Sequence, residues 1–167
     1  MDQNTSYRYT SHKIMRIIAI DPGYDRLGVA IMEKDELIFS TCIETKQSDP
    51  FHERLLSIGE CVRGLINDYQ PQVCAIEELF FAKNVKTALQ VASARGTLIY
   101  VAKSEGLQVY EYTPNQIKIA VTGYGSASKA DIQNFIPKII KIEGGKKRDD
   151  EIDAIAVGIT FFARERF

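Results

Sequence analysis

Residues 16–23 read Arg16-Ile17-Ile18-Ala19-Ile20-Asp21-Pro22-Gly23, a short apolar run that ends at an aspartate and a Pro-Gly turn. This is the pattern of a buried β-strand followed by a tight turn. Two further apolar segments, 27–34 and 37–45, follow on short connections. Three consecutive strands on short connections predict an antiparallel meander.

Beyond residue 45, helices and strands are predicted to alternate. Asp49 and Pro50 provide a cap and a first helical residue for a helix that ends before Pro71. The remaining predicted strands cover residues 73–77 and 107–112. The remaining predicted helices cover about 83–104, 113–121 and about 150–164, and a further helix begins at Ser128. Pro137 is expected to kink or shorten the helix that begins at Ser128. The order indicates an α/β protein with a five-stranded mixed sheet flanked by helices on both faces. This is the ribonuclease H-like architecture, although the pattern leaves other α/β folds open.

The size and composition of the chain limit its class. With 167 residues, 45% hydrophobic and 26% charged, the chain is typical of one globular domain. We predict an N-terminal tail or extension over 1–14, which lacks periodicity, and a single domain of this ribonuclease H-like architecture over 15–167. The three cysteines and two histidines show no zinc spacing and no disulfide framework. No apolar run is long enough for a membrane span, so a cytoplasmic location is expected.

The charges are unevenly distributed although the net charge is only −1. Residues 1–80 contain 8 basic and 13 acidic residues, and residues 81–148 contain 11 basic and 4 acidic residues. The middle segment can therefore present a positive face to phosphates, or it can be an ordinary solvated surface rich in lysine.

Acidic residues occur where predicted strands end and where the last helix begins. Asp21 ends the first strand, Glu77 and Glu78 follow the apolar run of the fourth, and Asp150 and Asp153 lie one helical turn apart. Each has a simpler explanation, since aspartates favour turns and acids favour the first turn of a helix, with Asp150 as a candidate N-cap. Periodicity alone does not decide between Glu77 and Glu78.

Taken together, these acids predict a metal site. Closely placed carboxylates repel one another unless cations lie between them, and Mg²⁺ prefers such oxygen ligands. Two-metal phosphodiester cleavage requires several carboxylates from different elements, so a metal-dependent nuclease is the hypothesis.

The sequence resembles the RuvC family of Holliday-junction resolvases. The resemblance runs from about Met15 to Thr160 and rests on four ordered motifs, which are Ile18-Ala19-Ile20-Asp21-Pro22-Gly23, Ala75-Ile76-Glu77 running into Phe80-Phe81-Ala82-Lys83-Asn84, Ala94-Arg95-Gly96, and Asp150-Glu151-Ile152-Asp153-Ala154-Ile155-Ala156. It departs from the family pattern at Glu78 and in the residues before Met15.

The resemblance implies a fold, an activity and a set of residues. It implies a ribonuclease H-like homodimer that makes paired symmetric nicks in four-way DNA junctions during recombination and repair, with Mg²⁺, two ions per site, or Mn²⁺. It implies Asp21, Glu77, Asp150 and Asp153 as catalytic metal ligands, which favours Glu77 over Glu78. It also suggests a RuvA-RuvB branch-migration complex as a partner.

The resemblance further implies DNA contacts. Phe80 falls on an aromatic position that stacks at the opened junction, and Lys118 and Lys129 fall near the scissile strand. Lys83, Lys86, Arg95 and the basic loop 146–148 are further candidates. Their alternatives are a core phenylalanine and solvated surface cations.

Three other functions are alternatives. An ATP-binding module of the actin and sugar-kinase type has a similar opening strand and turn, but it needs a second phosphate loop and a longer chain. A nuclease of the YqgF family acting on RNA is a second alternative, and a protein that binds junctions without cutting them is a third.

Overall fold

The computed structural model describes residues 15–34, 36–79, 85–143 and 145–166, and its centre is a five-stranded mixed sheet. The strands are β1 (Ile17–Asp21), β2 (Arg26–Glu33), β3 (Glu36–Glu44), β4 (Val73–Glu77) and β5 (Gln108–Tyr112). They are arranged in the order β3-β2-β1-β4-β5. β1, β2 and β3 pair antiparallel, whereas β1, β4 and β5 pair parallel. The predicted meander and the mixed sheet are confirmed.

Helices cover both faces of this sheet. They are α1 (Phe51–Tyr69), α2 (Val85–Ser104), α3 (Pro114–Thr122), α4 (Lys129–Ile139) and α5 (Asp149–Arg164). α1 and α2 pack on one face, and α3, α4 and α5 pack on the other. Within the described residues, no helix has the length and apolar character needed to cross a membrane.

The first strand is apolar on both faces because both faces are covered. Ile18 and Ile20 pack with α1 and α2, while Ile17 and Ala19 pack with the α5 side, and all four are fully buried. Successive strand residues point to opposite faces, so a continuous apolar run is what a central strand requires.

The predicted helix starts are correct at α3 and α4 but wrong at α1 and α5. Thr113 and Ser128 are the N-caps of these two helices, and each forms a capping box with the residue three positions later. At α1, Pro50 is the N-cap, because its extended backbone (ψ 142°) precedes the helix and its carbonyl accepts from the amides of Glu53 and Arg54. At α5 the N-cap is Arg148 instead of Asp150. Asp150 therefore lies inside the first turn, and its side chain is available for other contacts.

Pro137 lies inside α4, which ends two residues later at Ile139. Proline removes a backbone donor and crowds the preceding turn. The expectation that Pro137 shortens this helix is consistent with that early end.

The face of α2 that packs on the sheet differs from the predicted one. In the sequence, Val85, Leu89, Ala92, Gly96 and Ile99 recur at helical spacing, which predicts one apolar face. The structure instead buries Ala94, Leu98, Val101 and Ala102. Val85, Leu89 and Tyr100 are 69%, 64% and 70% exposed. Because apolar residues occur all round this helix, periodicity does not identify the inward face.

Candidate active site

Strand alternation directs Asp21 and Glu77 to the same side of the sheet. β1 and β4 pair in parallel with Ile20 beside Ile76, so the next residues, Asp21 and Glu77, are neighbours at the carboxyl ends of two adjacent strands. Both have the parity that faces α5. Their side chains form a hydrogen bond with each other. Glu78 has the opposite parity, so the structure places Glu77 beside Asp21, as the resemblance implied.

Glycines bring the start of α5 close to this pair. Gly28 lies opposite Asp21 in the sheet, and a Cβ there would lie 1.9 Å from the carbonyl oxygen of Asp150. Farther along α5, a Cβ on Gly158 would lie 2.3 Å from the Sδ of Met32. A side chain at Gly28 would push the helix start away from the sheet because it would meet backbone atoms, whereas a side chain at Gly158 would require the flexible Met32 side chain to move. The close approach brings Asp150 and Asp153 within electrostatic reach of Asp21.

Asp21, Glu77 and Asp153 have raised pKa values. Burial, reinforced by the charges of Asp153 and Asp150, raises the pKa of Asp21 to about 6. Burial and the neighbouring Asp21 raise the pKa of Glu77 to about 8. The two carboxyl groups are hydrogen-bonded to each other, so the pair shares one proton. Burial also raises the pKa of Asp153.

Two cations flank the acids. The Nζ of Lys129 lies 2.7 Å from Oδ2 of Asp153, and this hydrogen bond is the largest cause of the raised pKa of Lys129. On the other side, Nε of Arg26 lies 3.8 Å from Oδ2 of Asp150. These cations offset part of the negative charge. They leave the pKa values of Asp21 and Glu77 raised.

The donor set fits a hard divalent cation, although the side chains are not arranged around one point. Within the described ranges, no group of three or more His, Cys, Asp and Glu side chains stands ready to hold one ion. The proton shared by Asp21 and Glu77 and the ammonium of Lys129 supply the positive charge instead. Buried carboxylates with raised pKa values are stabilised when a cation replaces such a proton.

A cleft opens beside these carboxylates. One cavity of about 280 Å³ is lined by Glu77, Asp153, Lys118 and Lys129 among others. A second, of about 250 Å³, is lined by Asp21, Glu77 and Glu78 with neighbouring residues. Acids and lysines thus line connected space at the carboxyl end of the sheet.

Comparison with known proteins identifies the family of this chain. The family model described as crossover junction endodeoxyribonuclease RuvC matches residues 17–161. The chain belongs to the RuvC family. The RuvC of Petrotoga mobilis is 44% identical over 146 residues, covering 85% of this chain and 90% of that protein. The RuvC of Finegoldia magna is 40% identical over 157 residues, covering 92% and 96%.

Two solved structures share the fold. Thermus thermophilus RuvC in complex with a Holliday junction substrate matches with a TM-score of 0.82 and 28% identity, covering 87% of this chain and 92% of that one. The yeast mitochondrial Holliday junction resolvase Ydc2 matches with a TM-score of 0.66 over 90% of this chain, at 12% identity, which supports the fold alone. The predicted ribonuclease H-like fold is confirmed.

The predicted DNA-contact residues have different surroundings in this RuvC-family chain. Lys118 and Lys129 line the cleft. Lys86 is exposed in the first turn of α2 and does not line either of these two cavities. Arg95 is largely buried, donates from Nε to the carbonyl oxygen of Glu77 at 3.1 Å and pairs with Glu111. Phe80 and Lys83 lie outside the described residues.

Arg95 therefore supports the end of β4. Its contact with the Glu77 backbone holds the strand end from which the Glu77 carboxylate projects. A DNA contact by Arg95 stays a prediction.

Sequence reasoning missed several residues next to Asp150. These are Arg26 of β2 and Cys42 of β3, whose Sγ lies 3.6 Å from Oδ2 of Asp150. Burial, followed by the charge of Asp150, raises the pKa of the Cys42 thiol, so this thiol stays protonated and donates. The available signal was the hairpin register, which pairs Gly28 with Cys42 and so places Cys42 on the face of Asp21.

Proposed function

We propose that this chain is a Holliday-junction resolvase, a metal-dependent endonuclease that makes paired symmetric nicks in four-way DNA junctions during homologous recombination and repair. The observation that carries the proposal is the gathering of acids from β1, β4 and α5 beside a cleft lined by Lys118 and Lys129. It is supported by membership of the RuvC family and by the likeness to a junction-bound RuvC.

Asp21, Glu77, Asp150 and Asp153 are the residues proposed to hold the metal. When bound, two divalent cations would activate water for attack and stabilise the leaving oxygen of a phosphodiester. Glu77 must lose the proton that it shares with Asp21, and Asp153 must release Lys129, before these oxygens can serve as ligands. We expect Mg²⁺ to serve, with Mn²⁺ as a substitute, because all four ligands are carboxylates.

The lysines are proposed to bind the substrate phosphate. Lys129 is half-exposed, and its ammonium contacts Asp153 in the absence of DNA. Released from that carboxylate, it can donate to a phosphate oxygen at the site of cleavage. Lys118, on the same cleft, would hold the neighbouring phosphate. In-line attack of water would leave a 5′-phosphate and a 3′-hydroxyl.

Paired symmetric cleavage requires two active sites, so we propose a homodimer. The face of α2 directed away from the sheet supports this, because Val85, Leu89 and Tyr100 are exposed around the small residues Ala92 and Gly96. Small residues permit close approach of a second helix, and exposed large apolar side chains mark contact surfaces.

We expect Leu89→Glu to shift the protein to a monomer in sedimentation experiments and to uncouple the two nicks. Full paired cleavage by a confirmed monomer would contradict this part.

The domain limits and the motor partner are also proposals. Residues 15–167 would form the single nuclease domain, with 1–14 as an extension. A RuvA-RuvB complex would supply the junction by branch migration. Stimulation of cleavage by the added motor proteins is the measurement that tests this partnership.

The function is tested with a labelled four-way junction that has a homologous core. We expect wild-type protein to nick two strands symmetrically in Mg²⁺ and to leave a linear duplex intact. Asp21→Asn should bind the junction without cutting it. Binding without cleavage by wild-type protein, in Mn²⁺ as well and over varied core sequences, would indicate a binding protein instead of a nuclease.

A further inference from the structure

The start of α5 is held from behind by alternate residues of β3. Ser40 donates from Oγ to Oε1 of Glu151 at 2.7 Å, and Cys42 contacts Asp150 at 3.6 Å. The third contact of this set joins Glu44 to the guanidinium of Arg148. Residues 40, 42 and 44 share one face of the strand because side chains alternate. We call this set of three contacts the β3–α5 clamp.

Glu151 is the central residue of the β3–α5 clamp. It is a buried carboxylate, with 8% of its surface exposed. Its Oε1 accepts from the Ser40 hydroxyl, and its Oε2 accepts from the backbone amide of Arg148 at 3.0 Å. Nζ of Lys147 lies 3.9 Å from Oε1. Three donors from the strand and from the helix start therefore compensate its burial.

Glu151 faces away from Asp153. Each helical residue turns the side chain by about 100°, so Glu151 projects about 160° away from Asp153 and about 100° away from Asp150, whereas Asp150 and Asp153 are only about 60° apart. The first turn of α5 is thus fixed to β3 through Glu151, with Cys42 also contacting Asp150, and it presents Asp153 on the opposite side. Any rotation of this turn moves Asp150 and Asp153 relative to Asp21.

We propose that Ser40 and Glu151 are positioning residues that fix the rotation of the first turn of α5 and thereby set the affinity of the site for its divalent cations. This inference rests on the proposed function of Asp150 and Asp153 as metal ligands. Residues behind metal ligands orient them, and their loss lowers metal affinity or activity by about 10- to 100-fold. Small displacements suffice, because ligands must stay within roughly 0.5 Å of their working positions.

The test compares Glu151→Ala, Glu151→Gln and Ser40→Ala with the wild-type protein. Binding of Mn²⁺ is measured by calorimetry without DNA, and junction cleavage is measured over a range of Mn²⁺ concentrations. We expect Glu151→Ala to weaken Mn²⁺ binding and to raise the half-saturating Mn²⁺ concentration by about 10-fold or more. Ser40→Ala should give a smaller shift in the same direction. Glu151→Gln should recover much of the loss, because its amide oxygen still accepts from Arg148 and its amide nitrogen can donate to Ser40.

Thr41→Ala is the matched control, because Thr41 is half-buried on the same strand with the opposite parity. It should leave Mn²⁺ binding unchanged. If Glu151→Ala does not fold, Ser40→Ala carries the test. A folded Glu151→Ala or Ser40→Ala variant with wild-type Mn²⁺ affinity and metal dependence would overturn the proposal, and so would absence of Mn²⁺ binding by the wild-type protein. Failure of wild-type protein to cut junctions would contradict the proposed function, while the calorimetry still tests the clamp.

Discussion

Two carboxylate environments meet at the first turn of α5, and they differ in how burial is compensated. Glu151 has a hydroxyl, a backbone amide and an ammonium around it. Asp21 and Glu77 compensate each other by sharing a proton, and their pKa values are raised to about 6 and about 8. A carboxylate that serves the fold has donors within the protein. A carboxylate pair that lacks them marks the place where an external cation is expected.

The largest expected effect is a loss of junction cleavage, and it distinguishes the two carboxylate environments. Asp153→Asn should lower junction cleavage at saturating Mg²⁺ by roughly 1000-fold, because a lost metal ligand removes several kcal/mol of transition-state stabilisation. Glu151→Gln should lose far less at the same metal concentration, since it removes no ligand. The measurement is single-turnover cleavage of a labelled junction. Equal losses in both variants would remove the functional distinction between the two sides of α5.

The second prediction concerns the free energy of unfolding of the metal-free protein. Neutralising a carboxylate should raise it in one environment and lower it in the other. Glu77→Gln should stabilise the metal-free protein at pH 9 by a few kcal/mol, because each unit of raised pKa corresponds to about 1.4 kcal/mol held against the charged form. Glu151→Gln should destabilise it by about 1 to 3 kcal/mol, because a hydrogen-bonded charge is lost. Urea unfolding in the presence of a chelator measures both changes. Destabilisation by Glu77→Gln would contradict the account of an uncompensated pair.

The third prediction is the pH dependence of the metal-free protein. The folded pKa values of Asp21 and Glu77, about 6 and about 8, lie above the ordinary values of 3.8 and 4.5. The folded state therefore binds more protons than the unfolded state between these values. The corresponding stability is fully present at low pH and is lost as pH rises through the folded pKa values. The free energy of unfolding should fall between about pH 4 and pH 8, less steeply in Glu77→Gln. The lowered pKa of Asp131 acts in the opposite sense, but below this window.

The smallest expected effect belongs to the cation beside Asp153. Lys129→Met should lower cleavage at saturating metal by roughly 10-fold, the equivalent of one charged hydrogen bond to the phosphate. Lys141→Met is the matched control, because Lys141 forms a similar pair with Glu143 on the surface, 2.6 Å away. Cleavage rates of both variants on the same junction give the comparison. An unchanged rate in Lys129→Met would exclude a phosphate contact in the transition state.

Local signals predicted much of the fold and part of the site. The caps at Thr113 and Ser128 involve residues three apart, so sequence spacing was sufficient to find them. Asp21 was a candidate because it ends an apolar strand, whereas only the family resemblance favoured Glu77 over Glu78. In contrast, Ser40 and Glu151 are 111 residues apart in sequence. Their contact depends on how α5 packs on β3, which no local pattern expresses.

The face of α2 escaped prediction for a different reason. Leu98 and Leu89 are equally apolar, yet the first is fully buried and the second is 64% exposed. A helix that is apolar all round gives no local signal for the side that packs on the sheet. Only the assembled sheet shows which side is which.

The most direct test of the account is the number of protons released when Mn²⁺ binds. Calorimetric titration at pH 7 in two buffers of different ionisation enthalpy measures this number. If a cation replaces the proton shared by Asp21 and Glu77, the wild-type protein should release about one proton and Glu77→Gln should release markedly fewer. Mn²⁺ binding with no proton release, or with the same release in both proteins, would contradict the claim that this pair awaits a metal.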